Sequence, residues 1–348
     1  MKKLISFLIV YSIFCLITHL LHVENSCAEE QLADEISHNP EIFNFGSKDF
    51  SVNELKKIKP SIVERRHYLE VYQTKIVARD HNFRNLNTFY PITFYKSLRP
   101  GPAKKPFVLI IPSIMGVTPI EKNTAKHFAS IGYHSAIIDL SDNANYLDRP
   151  IRNLDDLLIR DIRGARMLIS YAEKLPFVNK NNLGLIGTSL GGIKASILMG
   201  VEPRIRAGVI VVGGGGFSDI WYQTKGDETV AYKQHRMKEE GIDTLEEFRD
   251  IMKKYSKTDP IKYAQNRDPK DLFMILANKD TVVPTSQQHV LWQAFGQPQK
   301  EIVNGGHMTG SLSVLWKYNT ITNFFQNRFT EHNNATCNVL IEKVFQSY

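Results

Sequence analysis

Cysteine is scarce in this chain, which has three cysteines among 348 residues. Cys15 and Cys27 belong to an N-terminal segment that we predict to be removed, which leaves Cys337 alone. The mature protein then has no internal disulfide, and its stability must come from its apolar core. No group of cysteines and histidines has the spacing of a zinc site. The sequence therefore predicts neither a disulfide framework nor a metal site.

Several other signatures are missing. No dinucleotide fingerprint follows a strand, and Gly213–Gly216 is not followed by the Gly-Lys-Ser/Thr of a phosphate loop. The net charge is +7, but 43 Lys and Arg are mixed with 36 Asp and Glu along the chain. No basic run is interleaved with aromatic residues, so nucleic acid is not an expected partner. Internal repeats and low-complexity tracts are absent too, and 43% hydrophobic residues indicate a globular protein.

The N-terminus has the pattern of an export signal. Lys2 and Lys3 precede an apolar segment, Leu4–Val23, and the small residues of Ser26-Cys27-Ala28 follow. We predict a signal peptide at residues 1–28 and a periplasmic or secreted protein. An uncleaved membrane anchor is the alternative, because Leu4–Val23 is about long enough to span a bilayer. A lipid anchor on Cys27 is disfavoured by Glu24, which stands where such signals need an apolar residue.

The remaining chain divides into a polar lead-in segment at residues 29–61, a domain at residues 62–330 and a tail at residues 331–348. The domain opens with YLEVYQTKIVA and LNTFYPITFYKS, which are rich in β-branched and aromatic residues and predict a hairpin. After it, short apolar runs typical of buried strands alternate with segments of helical periodicity; the runs are FVLIIP, YHSAIID, LGLIG, AGVIVVG, LFMILAN and KEIVN. This alternation predicts an α/β fold with a mainly parallel sheet and helices on both faces.

Residues 217–270 interrupt the alternation, because they contain helical periodicity and no strand candidate. We interpret them as a helical cap over the carboxyl ends of the strands, where ligands bind in such sheets. The alternative is an excursion that packs on the side of the sheet. Whether a cap here is a mobile lid is left open by the sequence.

Ser189 lies in Gly187-Thr188-Ser189-Leu190-Gly191, between the apolar run LGLIG and a helix-compatible segment. A nucleophile elbow needs this strand–turn–helix context, with small residues where neighbouring backbones approach closely. Serine also needs a base and an orienting acid, which follow it in the order acid then histidine, each just past a strand. The pattern alone is also compatible with an ordinary glycine-rich turn.

Asp280 and His307 fulfil this requirement. Asp280 comes three residues after the LFMILA run, and His307 comes four residues after KEIV. Taken singly, Asp280 is compatible with a turn residue and His307 with a surface histidine. Their joint order and spacing predict a Ser189, His307, Asp280 triad. The alternative acid is Asp219, and the alternative bases are His289 and His332.

An oxyanion hole needs two backbone N–H donors. Leu190 opens the helix after the candidate nucleophile, so its N–H is one candidate. The second is expected from the loop after the first parallel strand, Pro112-Ser113-Ile114-Met115-Gly116, where we assign it to Ile114. This loop is also compatible with an ordinary turn before a helix that starts after Thr118.

With these motifs, the chain resembles the α/β-hydrolase family over about residues 62–330. The resemblance is nearest to the branch of dienelactone-hydrolase-like and prolyl-oligopeptidase-like esterases, through VLIIPSIMGVTP, GTSLGG, DPIKYAQ, LFMILANKDTVVP and GGHMTG. It implies an eight-stranded, mostly parallel sheet that carries the triad. Two departures stand out: Pro112-Ser113 replaces the common His-Gly of the oxyanion loop, and Ser189 stands where dienelactone hydrolases have cysteine.

The implied activity is that of a serine hydrolase without cofactor or metal. A carboxylesterase that acts on a small-molecule ester through an acyl-enzyme is the first expectation. A thioesterase or a serine peptidase of the same fold is the alternative, and peptidases often carry a propeller or another large accessory domain. A non-catalytic hydrolase-like binding protein is the alternative from another class, and the complete triad counts against it. The natural substrate and the oligomeric state are left open.

Overall fold

The computed structural model describes residue 43 and residues 61–80, 86–140 and 149–346. The predicted signal peptide, residues 1–28, lies outside the described residues, as does the lead-in segment apart from Phe43 and Ser61. Export therefore stays a prediction. In the part of the chain that the structure describes, no helix has both the length and the apolar character needed to cross a membrane.

Nine strands of the described residues form one mixed sheet. They are β1 (Ser61–Arg66), β2 (Leu69–Asp80), β3 (Leu86–Ser97), β4 (Lys105–Ile111), β5 (His134–Ile138), β6 (Val178–Thr188), β7 (Ile205–Val211), β8 (Leu272–Ala277) and β9 (Gln299–Val303). Their order across the sheet is β1-β2-β3-β5-β4-β6-β7-β8-β9. The pairs β1–β2, β2–β3 and β3–β5 are antiparallel. All the remaining pairs, β5–β4, β4–β6, β6–β7, β7–β8 and β8–β9, are parallel.

The sheet confirms the predicted α/β class, and it has one strand more than the eight that the resemblance implied. The extra strand is the edge strand β1, which pairs with β2 through a register shift between Ile62 and Glu64. Its sequence SIVERR is largely exposed and lacks a buried face. A strand without alternating burial leaves little signal in the sequence.

Nine α-helices connect or flank the strands among the described residues. They are α1 (Pro119–Ser130), α2 (Leu154–Glu173), α3 (Leu190–Val201), α4 (Phe217–Gln223), α5 (Asp227–Glu240), α6 (Leu245–Tyr255), α7 (Thr285–Ala294), α8 (His307–Leu312) and α9 (Tyr318–Gln346). Thr118 caps α1 through a reciprocal pair with Glu121, whose carboxylate accepts the Thr118 N–H. This capping box fixes the start of α1 beside the loop that follows β4.

Helices cover both faces of the sheet, as the sequence predicted. Along β4, Phe107 and Leu109 point into one apolar cluster with α2, α3 and α7, whereas Val108 and Ile110 point into another with α1 and α9. Side chains alternate between the faces of a strand, so a continuous apolar run indicates a strand that is buried on both sides.

The insertion at residues 217–270 contains α4, α5 and α6, and its described residues include no strand. It has an apolar cluster of its own, in which Trp221, Tyr232 and Phe248 pack with Ile193 of α3. The carboxylate of Asp259 accepts the backbone N–H groups of Gly216 and Phe217, which holds the end of the insertion against its beginning. The insertion is thus a packed helical unit.

The C-terminal helix α9 covers the sheet face that α1 also covers. Phe325 is buried against the rings of Phe128 and Phe329, and it lies where a Cβ on Gly184 of β6 would collide with it. The predicted tail, residues 331–348, begins within this helix, which continues to Gln346.

His134, the first residue of β5, connects its strand to the end of β3 and to the turn that precedes β6. Its Nδ1 accepts the N–H of Ser97 at 3.0 Å, and its Nε2 donates to the Phe177 carbonyl at 3.1 Å. The ring therefore fits only as a neutral imidazole. The pKa of His134 is lowered to about 4, chiefly by burial and to a smaller extent by the nearby Lys105 and Lys96, while the hydrogen bond to Phe177 acts in the opposite direction.

We expect His134 to make the protein less stable in mild acid. The unfolded chain binds a proton here near pH 6.5, while the folded chain does so only near pH 4. Stability is therefore lost as the pH falls through this window, by up to about 3 kcal/mol. Urea unfolding between pH 4 and 8 should show a shallower pH dependence for His134→Asn, whose amide oxygen can still accept from Ser97.

The exposed His67 provides the control, because His67→Asn should follow the wild-type pH dependence. Parallel curves for the wild type and His134→Asn would contradict this account of His134.

Candidate active site

Ser189 stands in a sharp turn between β6 and α3. Its backbone has φ 58° and ψ −120°, a positive-φ conformation that is uncommon for a residue with a side chain. The Ser189 N–H donates to the carbonyl of Val211 at 2.9 Å, which fixes the turn to the neighbouring strand β7. Strain of this kind persists only where the surrounding structure holds it, and it is frequent at active sites.

Two glycines make this turn possible. A Cβ on Gly187 would lie 2.1 Å from the carbonyl oxygen of Gly191. A Cβ on Gly191 would lie 2.3 Å from the carbonyl oxygen of Ile111 and 2.4 Å from that of Pro112. Only a residue without a side chain fits at either position. The turn thereby brings Ser189 against the loop that follows β4.

The structure brings the three predicted triad residues together. His307 Nε2 lies 2.7 Å from Ser189 Oγ, and His307 Nδ1 lies 2.7 Å from Asp280 Oδ2. Asp280 follows β8, and His307 is the first residue of α8, which follows β9. The parallel strands β6, β8 and β9 end at the same edge of the sheet, so loops far apart in sequence meet there.

The Asp280 carboxylate accepts hydrogen bonds from other groups besides His307. Its Oδ1 accepts the backbone N–H groups of Val282 at 2.9 Å and Val283 at 3.0 Å, and its Oδ2 also accepts from Gln288 Nε2 at 2.8 Å. The carboxylate is closed off from solvent, whereas the His307 ring is partly exposed. With Nδ1 donating to the carboxylate, His307 Nε2 is the nitrogen that accepts a proton from Ser189.

One predicted oxyanion donor directly follows Ser189, and the other lies in a loop that lines the Ser189 cavity. Leu190 is the first residue of α3, so its N–H has no partner within the helix. Ile114 lies in the loop after β4 and lines the cavity that contains Ser189. Among the described residues, neither of these N–H groups has a hydrogen-bond acceptor. Both are thus available to an anionic oxygen.

Ser189 and His307 open into a cavity of about 550 Å³. A volume of this size is typical of small-molecule sites. Residues 226–229, at the start of α5, line one side, which brings the insertion to the site. Much of the remaining wall is apolar and comes from the β4–α1 segment and the α8 region: Ile114, Met115, Ile120, Met308, Leu312 and Leu315.

The alternative acid and bases have other partners. Asp219 pairs with Arg249, and His289 Nδ1 bonds to the carbonyl of Thr285 within α7. His332 bonds to Asp271 at 2.8 Å, at the opposite end of β8 from Asp280. The structure connects none of them with Ser189.

No cluster of three or more potential metal-ligating side chains occurs in residues 43, 61–80, 86–140 and 149–346. The chemistry that the site displays is that of a hydroxyl, an imidazole and a carboxylate in hydrogen-bond series. This arrangement can generate a nucleophilic serine.

Solved structures of similar architecture define the class. The acetyl xylan esterase from Paenibacillus sp. R4 superposes with a TM-score of 0.64 over 85% of this chain and 99% of the esterase, at 14% identity. Acetyl xylan esterase 1 from Thermoanaerobacterium sp. JW/SL YS485 gives a TM-score of 0.55 over 82% of this chain and 98% of that one, at 16% identity. The protein has the α/β-hydrolase fold.

Sequence comparison then identifies the family. The model of the prolyl oligopeptidase family matches residues 142–331, more than half of the chain. The chain belongs to this family, and it is a serine hydrolase of the α/β-hydrolase fold. It is also similar to the "Probable 2-oxo-3-(5-oxofuran-2-ylidene)propanoate lactonase" of Bradyrhizobium sp., with 28% identity over 131 residues, 35% of this chain. The chain spans about half the length of this curated relative, 49%.

Gln288 is a residue that the sequence analysis did not single out. It is completely buried, and its amide donates to Asp280 Oδ2 and to the Val283 carbonyl while its Oε1 accepts the N–H of Ala277. It thus connects the end of β8 to the carboxylate. The available signal was a polar residue on the apolar stripe of a helix, three residues before the buried Leu291.

We expect Gln288→Met to lower kcat by about 10- to 100-fold, since it keeps the side-chain length but removes a hydrogen bond to a charged group. KM for an ester should stay the same, because Gln288 lies outside the cavity wall. Steady-state kinetics measure this split. In an Asp280→Ala background, the same substitution should have little further effect.

Gln287→Met is the matched control, because Gln287 is also buried but does not contact Asp280. Thermal unfolding accompanies the kinetics. Equal losses of kcat in both glutamine variants would contradict a specific role for Gln288.

Proposed function

We propose that this protein cleaves carboxylic esters through an acyl-enzyme on Ser189. The observation that carries the proposal is the pair of 2.7 Å hydrogen bonds from Ser189 through His307 to Asp280, at the base of a largely apolar cavity. The lactonase relative supports the choice of an ester, because a lactone is a cyclic ester.

In the first half of the reaction, Ser189 Oγ attacks the ester carbonyl carbon and His307 Nε2 takes the serine proton. Asp280 orients the imidazole and stabilises the charge that develops on it. The N–H groups of Leu190 and Ile114 stabilise the oxyanion of the tetrahedral intermediate. His307 then gives its proton to the departing alkoxide, which leaves as an alcohol.

In the second half, water enters with His307 as general base. The oxygen of this water adds to the acyl carbon while His307 Nε2 takes one of the water protons. Collapse of the second tetrahedral intermediate then breaks the bond between the acyl carbon and Ser189 Oγ. His307 returns the proton to the serine oxygen, and the acid leaves.

Peptide cleavage is the second candidate, and membership in the prolyl oligopeptidase family favours it. An amide and an ester of one acid differ only in the leaving group. A p-nitrophenyl ester and the p-nitroanilide of the same acid therefore distinguish the two activities. For an esterase, the ratio of kcat/KM for the ester to kcat/KM for the anilide should exceed the ratio of the two uncatalysed hydrolysis rates by at least about 100-fold.

Purified protein incubated with p-nitrophenyl acetate and p-nitrophenyl butyrate tests the triad. We expect Ser189→Ala and His307→Ala to lose at least about 10³-fold in kcat, and Asp280→Asn to lose about 10³- to 10⁴-fold. Ser286→Ala is the control, because this exposed serine bonds to Gln223 away from the cavity. Undiminished hydrolysis by Ser189→Ala would refute the proposal.

A further inference from the structure

The cavity beside Ser189 has an apolar wall that is open to solvent. Met115 is 68% exposed, Met308 56% and Leu312 37%, and all three line this one cavity. Large apolar side chains gathered around an opening mark a surface that binds an apolar group. The exposed carboxylates of Asp227 and Glu228 line the side formed by the insertion, so an anionic group is disfavoured there.

The position of this wall relative to His307 indicates which part of an ester it contacts. His307 is the first residue of α8, Met308 follows it directly, and Leu312 lies in the next turn of the same helix. Residues of α3, the helix that follows Ser189, do not line the described part of the cavity. The cavity therefore extends from Ser189 toward His307 and away from α3.

General acid catalysis requires the leaving oxygen within hydrogen-bond reach of His307 Nε2. The carbon chain attached to that oxygen then lies against the helix that His307 begins. The carbonyl oxygen points instead to the N–H groups of Leu190 and Ile114. The wall formed by Met308, Leu312 and Leu315 thus faces the alcohol portion of the ester.

We propose that this wall, together with Met115 and Ile120 of the same cavity, is a subsite for an uncharged apolar alcohol, so that the substrates are esters of such alcohols. The inference rests on the proposed function. In the step concerned, the bond between the acyl carbon and the alcohol oxygen breaks and its electron pair stays on that oxygen. The oxygen takes the proton from His307 Nε2, and the acyl group stays on Ser189 Oγ.

Isomeric esters test on which side of the ester oxygen the apolar chain binds. Octyl acetate and ethyl octanoate have the same composition, but the long chain belongs to the alcohol in the first and to the acid in the second. We expect a kcat/KM at least 10-fold higher for octyl acetate. Along ethyl, butyl and hexyl acetate, kcat/KM should rise by up to about fourfold for each methylene that becomes buried.

Substitutions of Met308 and Leu312 test whether these residues cause the preference for octyl acetate. The double variant Met308→Ser with Leu312→Ser should lower the ratio of kcat/KM for octyl acetate to that for ethyl acetate by about 10-fold. Ile302→Ser is the matched control, because Ile302 on β9 is also exposed, at 52%, but lies outside the wall. It should leave the ratio as in the wild type.

The outcomes separate this inference from the proposed function. An equal or higher kcat/KM for ethyl octanoate, or a flat series of acetates, overturns the alcohol subsite while Ser189-dependent hydrolysis still stands. A double variant with an unchanged ratio overturns the assignment to Met308 and Leu312. Loss of Ser189 dependence for every ester overturns the proposed function itself.

Discussion

The hydrogen bond between Ser189 Oγ and His307 Nε2 is the contact on which the other features of the site depend. In the sheet, β7 and β8 lie between β6, which carries Ser189, and β9, which precedes His307. The histidine loop therefore has to reach back across two strands. The positive-φ backbone of Ser189 forms the sharp turn that carries its hydroxyl, and Asp280 holds the far side of the imidazole. These features make the Ser189 hydroxyl a candidate nucleophile.

Much of this arrangement could be predicted from the sequence, because short continuous segments of the chain carry recognisable patterns for it. Buried parallel strands appear as continuous apolar runs, and the residue just past each run lies at the edge where ligands bind. Ser189, Asp280 and His307 follow three such runs in an order that the fold accommodates. The role of Gly187 and Gly191 could be predicted for a similar reason, since a tight turn between a strand and a helix needs small residues.

Features that depend on contacts between distant segments left weaker signals. The edge strand β1 has no buried face and hence no alternation, so the ninth strand was not predicted. Gln288 is recognisable only when its amide is seen against Asp280. Met115 and Met308 line the same cavity although they are far apart in the sequence, so no local periodicity predicts that they lie together. The placement of residues 226–229 of the insertion at the cavity likewise follows from packing.

The central claim is that Ser189 is the nucleophile. The folded protein, treated with a fluorophosphonate and then digested with trypsin, tests this directly by mass spectrometry. Cleavage after Lys180 and Lys194 yields the peptide NNLGLIGTSLGGIK, in which Ser189 is the only serine. We expect one phosphonyl adduct, on Ser189 of this peptide. An adduct on another residue, or none at all from folded protein, would contradict the claim.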